Sequence, residues 1–218
     1  MARRDNISMS VIRRLPRYYR FLSDLMENGI TRISSRELSA KMGLTASQIR
    51  QDLNCFGGFG QQGYGYIVDQ LQNEIANILG LQNSYSTILI GAGNLGRAVA
   101  MHLSFEARGF NLVGIFDKAP DLFGREIRGV KVQDIAGLEE FCKKNKPEMA
   151  VLCLPREAVA DLADRLHALG VKNYWNFSHY DLAIKFDDII VENVHLSDSL
   201  MTMCYRITNE DNPQHNNA

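Results

Sequence analysis

Between Ser86 and Ala100 a short apolar, β-branched run enters Gly91-Ala92-Gly93-Asn94-Leu95-Gly96, and a helix-forming run leaves it. A strand, a tight turn and a helix start in that order open a βαβ unit of the dinucleotide-holding kind. Gly91 permits the sharp turn off the strand, Gly93 lets the backbone approach a pyrophosphate, and Gly96 lets the helix lie close on the strand. The free N–H groups of the helix's first turn, at the positive end of its dipole, then face the phosphates. The stretch Asn111–Asp117 reads as the second strand and ends on an acid. A carboxylate at that point accepts hydrogen bonds from a ribose 2′-hydroxyl, which favours NAD over its phosphorylated relative.

A chain of 218 residues with 45% hydrophobic and 22% charged residues suits one large or two modest domains with a real core. No apolar run is long enough to span a bilayer, and the amino terminus lacks a secretion signal's hydrophobic stretch, so a cytoplasmic protein is expected. Cys55, Cys142, Cys153 and Cys204 are scattered, without C-x-x-C spacing or paired histidines, and read as core or surface thiols. The formal charge of −1 conceals a division. Residues 1–66 hold ten Lys or Arg against five Asp or Glu, giving +5, and the remainder holds fourteen against twenty, giving −6. A basic front on an acidic body points one end of the molecule at an anionic partner.

Apolar residues recur at helical spacing from Ser8 to Asn28, and Pro16 interrupts them, so a short lead-in followed by a helix from Pro16 is expected. Ser34-Ser35-Arg36-Glu37 and Thr45-Ala46-Ser47-Gln48 both fit capping boxes, and the tight turn between the two helices they start makes a helix-turn-helix. Ile49, Leu53 and Phe56 fall on one face of the second of these helices, and Ser47, Arg50, Gln51 and Asn54 on the other. That outer set suits phosphate and base-edge contacts in a major groove, with Thr45 and Gln48 at the helix start. The run Gly57–Tyr66, five of its ten residues glycine and none acidic, reads as a hairpin wing pinned by Phe59 and Tyr66. Gly60, Gln61, Gln62 and Tyr66 are its candidate DNA contacts. Arg13, Arg14, Arg17 and Arg20 flank the same surface as candidate phosphate partners.

Ile67–Gly80 reads as one amphipathic connecting helix, which places a DNA-binding domain in residues 1–80. Beyond it, strands at Val130–Val132, Met149–Leu154, Tyr174–Phe177 and Asp188–Val194 alternate with helices at Gly137–Asn145 and Arg156–Leu169. Alternation of this kind makes a doubly wound parallel sheet. Pro120–Gly129 is expected to be a loop over the adenosine. Leu154, Pro155, Asn176, Phe177 and Ser178 follow strand ends, where such sheets bind ligands, and are expected on the nicotinamide side. A last helix, Ser197–Thr208, carries an apolar surface that fits either its own sheet or a dimer interface. The domain over residues 81–208 would then hold NAD or NADH, and the polar tail 209–218 reads as disordered.

These residues together resemble the redox-sensing transcriptional repressor family called Rex, over about Ile7 to Thr208. The likeness rests on Arg13-Arg14-Leu15-Pro16-x-Tyr18-Tyr19-Arg20, Ile49-Arg50-x-Asp52-Leu53, Phe56-Gly57-x-Phe59-Gly60-x-x-Gly63-x-Gly65-Tyr66, the glycine turn, Phe116-Asp117 and Asn176-Phe177. It implies an α/β chain, a winged helix-turn-helix followed by a Rossmann-like sheet, with the last helix exchanged between the subunits of a homodimer. It also implies repression of fermentative and respiratory genes at a palindromic operator, with NADH favouring a closed form that leaves DNA and NAD compatible with binding. The chain departs from the family pattern at Gln51, where lysine is usual, at Ser178-His179 in place of Ala-Pro, and at His102 in place of tyrosine.

Two other classes stay open on the residues alone. An NAD-dependent dehydrogenase would need an acid or base beside the nicotinamide, for which His102, His179 and His195 are the candidates, and a substrate domain the chain has little length for. The glycine turn also fits a sensor of another nucleotide, such as coenzyme A.

Overall fold

The computed structural model describes residues 7–57, 59–61, 64–102 and 104–210. Two compact units divide the chain, Met1–Asn83 and Ser84–Ala218.

In the first unit Ser8 caps α1 (Met9–Ile12), its hydroxyl accepting from the Ser10 N–H. Pro16 falls in the first turn of α2 (Leu15–Glu27), where the missing donor costs nothing and the ring starts a new helix. Leu15, Tyr18, Leu22 and Leu25 recur at helical spacing along α2 and are buried. After β1 (Arg32–Ile33), α3 (Ser35–Met42) opens on a complete capping box between Ser34 and Glu37 and closes on Gly43, whose φ is +62°. The next helix, α4 (Ala46–Asn54), begins three residues later with the Thr45 hydroxyl accepting from the Gln48 N–H at 3.1 Å. Its box is half made, because the Gln48 side chain turns to Asp52 instead.

The hairpin of β2 (Gly60–Gln61) and β3 (Gly65–Ile67) joins β1 in an antiparallel sheet of order β1-β3-β2. Gly65 has φ +72°, and a Cβ there would lie 2.5 Å from the Ile33 carbonyl oxygen, so only glycine lets β3 close on β1. Ile67 pairs with Arg32 in that sheet, which delays α5 to Val68–Leu79; Gly80 ends it. Leu71 and Ile75 of α5 pack with the buried face of α2, with Leu38 and Met42 of α3, and with Ile49 and Leu53 of α4.

In the second unit the chain alternates as expected. It runs through β4 (Tyr85–Ile90), α6 (Asn94–His102), β5 (Phe110–Asp117), β6 (Glu126–Ile127), β7 (Val130–Asp134), α7 (Leu138–Asn145) and β8 (Met149–Leu152). It then continues through α8 (Arg156–Ala168), β9 (Asn173–Asn176), α9 (Leu182–Lys185), β10 (Ile190–Asn193) and α10 (Leu196–Glu210). The sheet order is β10-β9-β8-β4-β5-β7-β6, parallel except for β6 at one edge. Read from β4, this is the doubly wound dinucleotide-binding order, and strand order reverses between β4 and β8. The buried ends of those strands, Ile88 to Ile90 and Ala150 to Leu152, make the middle of the core.

Two expectations change here. The stretch Pro120–Gly129 is not wholly loop: it holds a short 3-10 turn (Pro120–Leu122) and β6, which folds back antiparallel on β7. Asn209 and Glu210 belong to α10 rather than to the tail. Residues 211–218, expected to be disordered, lie outside the described residues. Among the described residues no helix is long and apolar enough to cross a membrane.

Candidate nucleotide crevice and nucleic-acid interface

Two of the three turn glycines are demanded by packing. Gly91 has φ +97°, and a Cβ on it would meet the Cys153 carbonyl oxygen at 2.4 Å; a Cβ on Gly96 would meet the Gly91 carbonyl oxygen at 1.7 Å. A Cβ on Gly93 meets nothing within 4 Å, so this position opens onto free space above the turn. The role read for each glycine therefore has a geometric counterpart. Asn94 and Leu95 begin α6 with their first-turn N–H groups directed out of that turn.

Asp117 is tied to the same place. Its Oδ2 accepts from the Ala92 N–H at 2.6 Å and its Oδ1 from the Ala119 N–H at 2.9 Å. Each oxygen keeps a further lone pair for a hydroxyl. A cleft beside the turn is lined by Gly93, Asn94, Arg97, Leu122, Arg125 and Val132 among others. Arg97 and Arg125 escaped sequence reasoning. The available signals were a cation one residue past the third glycine and another in the stretch taken for a loop. The Arg125 Nε–H donates to the Asp121 carbonyl at 2.9 Å, which leaves its remaining N–H groups for the cleft.

On the other side of the reversal, Leu154 packs on the core beside β8 and Pro155 caps α8. Asn176 is fully buried and saturated. Its Nδ2 donates to the Tyr180 carbonyl and to Asn193 Oδ1, both at 2.8 Å, and its Oδ1 accepts from the Ser178 N–H and hydroxyl at 3.1 and 2.7 Å. Two donors and two lone pairs are the whole capacity of a carboxamide. The side chains of Asn176 and Ser178 are thus spent on building this turn, against the expectation that they face a cofactor. Phe177 between them is half-buried and meets the Trp175 ring edge-on, centroids 4.7 Å apart.

The first unit turns on a buried carboxylate. Asp52 of α4 has no exposed surface, yet it accepts from Arg14 Nε and Nη2 at 2.7 Å each, from Gln48 Nε2 at 2.8 Å and from the Tyr18 hydroxyl at 2.9 Å. Burial alone would push its pKa up; the bonds from Arg14, Gln48 and Tyr18 outweigh that and hold it below the usual carboxylate range. Burial, helped by the bond to Asp52, pushes the Tyr18 phenol up.

Ser47, Arg50, Gln51 and Asn54 are all exposed on α4, and Arg13, Arg17 and Arg20 on the lead-in and α2. Arg50 Nη1 donates to Ser35 Oγ at 3.1 Å, which steers the guanidinium along the start of α3. Two readings need correction, those of Arg14 and Tyr66. Arg14 is committed to Asp52 and is no free phosphate partner. Gln48 donates one amide hydrogen to Asp52 and keeps its second hydrogen and its carbonyl, while Thr45 is exposed and its hydroxyl, accepting from the Gln48 N–H, keeps its own hydrogen to donate. Tyr66 is only 7% exposed and packs in the core, so its ring anchors the hairpin rather than facing outward. Gly60 and Gln61 form β2, and Gln62 lies outside the described residues. Tyr64, not foreseen as a contact, is 69% exposed in the hairpin.

Residues 6–54 match a family model described as "Putative DNA-binding protein N-terminus", and residues 82–180 one described as "CoA binding domain". A relative in Thermoanaerobacter pseudethanolicus, named "Redox-sensing transcriptional repressor Rex", is 58% identical over 97% of this chain and 94% of its own length. The chain belongs to the Rex family. The Rex of Clostridium perfringens is 53% identical over 97% of this chain and 99% of its own. Rex relatives are named as transcriptional repressors, which are regulators rather than enzymes. Two solved Rex-family structures superpose closely. One, described as RSP in complex with β-NAD+ and operator DNA, has a TM-score of 0.86 and 57% identity and covers 95% of each chain. The other, RSP in complex with β-NADH, has a TM-score of 0.85 and 55% identity over 94% of this chain and 96% of its own.

Proposed function

We propose that this chain is a homodimeric repressor that binds a palindromic operator and leaves it when NADH loads the crevice at the glycine turn. The observation that carries this reading is the pair of RSP structures at 55–57% identity, one with β-NAD+ and operator DNA and the other with β-NADH.

The chain's own residues supply the parts. Arg50, Gln51, Ser47 and Asn54 read base edges and phosphates from α4, while Arg13, Arg17 and the hairpin hold the backbone alongside. A dimer places two such helices about one helical turn of DNA apart, which is why the operator is palindromic. α10 carries Leu200, Met201, Met203, Tyr205 and Ile207 at 49–71% exposure, a face that a second copy of the chain covers by exchanging this helix. DNA as the target places the work in the cytoplasm.

In the crevice, the first-turn N–H groups of α6 hold the pyrophosphate and Asp117 the adenosine ribose. These contacts are the same for NAD and NADH. Discrimination belongs to the other half, where the oxidised ring is a cation and the reduced ring is neutral. Leu154 and Phe177 offer that half an apolar wall, which disfavours an unpaired charge. A ligand that binds one domain arrangement better than another shifts the population toward it.

A gel-shift titration on a palindromic duplex at one salt concentration tests this directly. NADH is expected to release the protein at far lower concentration than NAD; equal release by both removes redox sensing.

The "CoA binding domain" match favours a second ligand, since coenzyme A shares the adenosine diphosphate of NAD. Its 3′-phosphate would sit against the Asp117 carboxylate, which weighs for NAD. Competition of coenzyme A with NADH at comparable concentrations would reverse that preference.

A further inference from the structure

His179 and His195 stand just past the carboxyl ends of β9 and β10, their Nδ1 atoms 3.1 Å apart and their ring centroids 5.2 Å apart. One buried asparagine sets that separation. His179 follows Ser178, which donates twice to Asn176 Oδ1, and His195 follows Val194, whose N–H donates to the Asn176 carbonyl at 2.8 Å. The Asn193 side chain, two residues before His195, accepts from the Asn176 amide as well. His179 is exposed and His195 half-buried. Neither ring is among the residues assigned above to the pyrophosphate, the adenosine ribose or DNA.

Two Nδ1 lone pairs do not face each other across 3.1 Å with nothing between them: one proton or one cation must sit there. Two imidazole nitrogens bound to zinc at 2.0–2.1 Å in tetrahedral geometry lie about 3.3 Å apart. The observed gap needs to open by only a few tenths of an ångström to match. We propose that His179 and His195 form a binding site for a divalent cation of the zinc class.

Imidazole ligands select zinc, nickel and copper over magnesium and calcium. Among the described residues no group of three or more His, Cys, Asp or Glu gathers to hold a metal, so water fills the other positions and the ion exchanges readily. The cation takes the place of the shared proton. In the neutral pair that Nδ1–H moves to Nε2 of the same ring, and both Nδ1 lone pairs bind the ion without net proton release. The Asp198 N–H donates to the His195 carbonyl at 3.1 Å, so the bound ion would join the β9 turn to the root of α10.

Calorimetric titration of zinc chloride into the chelator-treated full-length protein tests this, with H179A, H195A and C55S alongside. The expected result is one ion per chain, at least tenfold weaker in either histidine variant, unchanged in C55S, and no heat from magnesium chloride. No zinc binding, or equal affinity in the wild type and both histidine variants, overturns the proposal. Because alanine can disturb the turn, the wild-type amide spectrum is also followed with nickel chloride. Paramagnetic broadening centred on residues 179 and 195 is expected, and broadening centred elsewhere contradicts the site.

Discussion

Arg14 grips Asp52 in a two-bond fork, Nε to Oδ2 and Nη2 to Oδ1, both at 2.7 Å. The pair joins the start of α2 to the inner face of α4 across 38 residues of sequence. It therefore fixes the angle at which the outer face of α4 is presented, and it does so with a carboxylate that has no access to water. Removing the cation strands that charge. Arg14→Met is expected to lower the unfolding free energy of the first unit by about 3 kcal/mol, while Asp52→Asn, which keeps the shape, costs ~1–2 kcal/mol. Urea denaturation of the two variants gives the comparison.

The same carboxylate predicts an acid limb of stability. Its folded pKa lies below the usual value of 3.8, so the unfolded chain takes up the proton first. The contribution is complete above 3.8 and is lost as pH falls through that value toward the folded one. Urea midpoints measured from pH 6 down to pH 3 are expected to fall more steeply for the wild type than for Asp52→Asn below roughly pH 4. Parallel curves would show that Asp52 carries no such linkage.

The glycines separate folding from binding. Gly96→Ala drives a methyl into the Gly91 carbonyl and is expected to destabilise the second unit by 3 kcal/mol or more, of order. Gly93→Ala has room for its methyl, so the melting temperature stays near that of the wild type. That methyl occupies the space a pyrophosphate needs, and NADH affinity falls at least tenfold, by about 1.4 kcal/mol. Thermal melts together with NADH fluorescence distinguish the two outcomes.

Asp117→Asn keeps the bond to at least one backbone N–H but removes the charge that the ribose hydroxyls meet. Loss of about 1.5–3 kcal/mol in NADH binding is expected, the range for a hydrogen bond to a charged group. Operator binding without nucleotide stays unchanged, which a mobility-shift assay checks.

On α4, Gln51→Lys adds a cation beside Arg50. Operator affinity is expected to rise with little change in sequence preference, and the slope of log K against log salt to steepen by ~0.9. Arg50→Ala acts in the opposite direction. If its guanidinium reads a base edge, binding weakens by about 1–3 kcal/mol at one operator position and specificity relaxes there. Salt-series fluorescence anisotropy on the operator and on single-base variants resolves both effects.

Local chemistry explains what was legible in the sequence. The glycine turn, the Ser34–Glu37 box and the α/β alternation depend on residues within a few positions of one another, so spacing alone reveals them. Asp52 is different: its partners Arg14 and Tyr18 lie on another helix, and an acid on a core-facing turn gives no sign of where its counter-charge comes from. Arg14 and Gln48 were consequently read as surface groups. Asn176 and Ser178 misled for a related reason. Being at a strand's carboxyl end makes a residue a candidate for ligand contact, but whether its side chain is already saturated depends on Asn193 of another strand and on the fold of the following turn. Arg97 and Arg125 came to light only when the β6–β7 hairpin placed residues of the expected loop along the cleft.

The proposed switch requires that operator and reduced nicotinamide favour different arrangements of one dimer. Linkage makes that claim reciprocal: whatever factor NADH imposes on operator binding, the operator must impose on NADH binding. Trp175, the chain's single tryptophan, lies in β9 and serves as an energy-transfer donor to bound NADH. Titrating NADH by this signal, with and without saturating operator duplex at one salt concentration, measures the coupling. The expected result is a dissociation constant raised by operator by the same factor that saturating NADH raises the operator's own. An NADH affinity unchanged by operator would contradict a switch between the two arrangements.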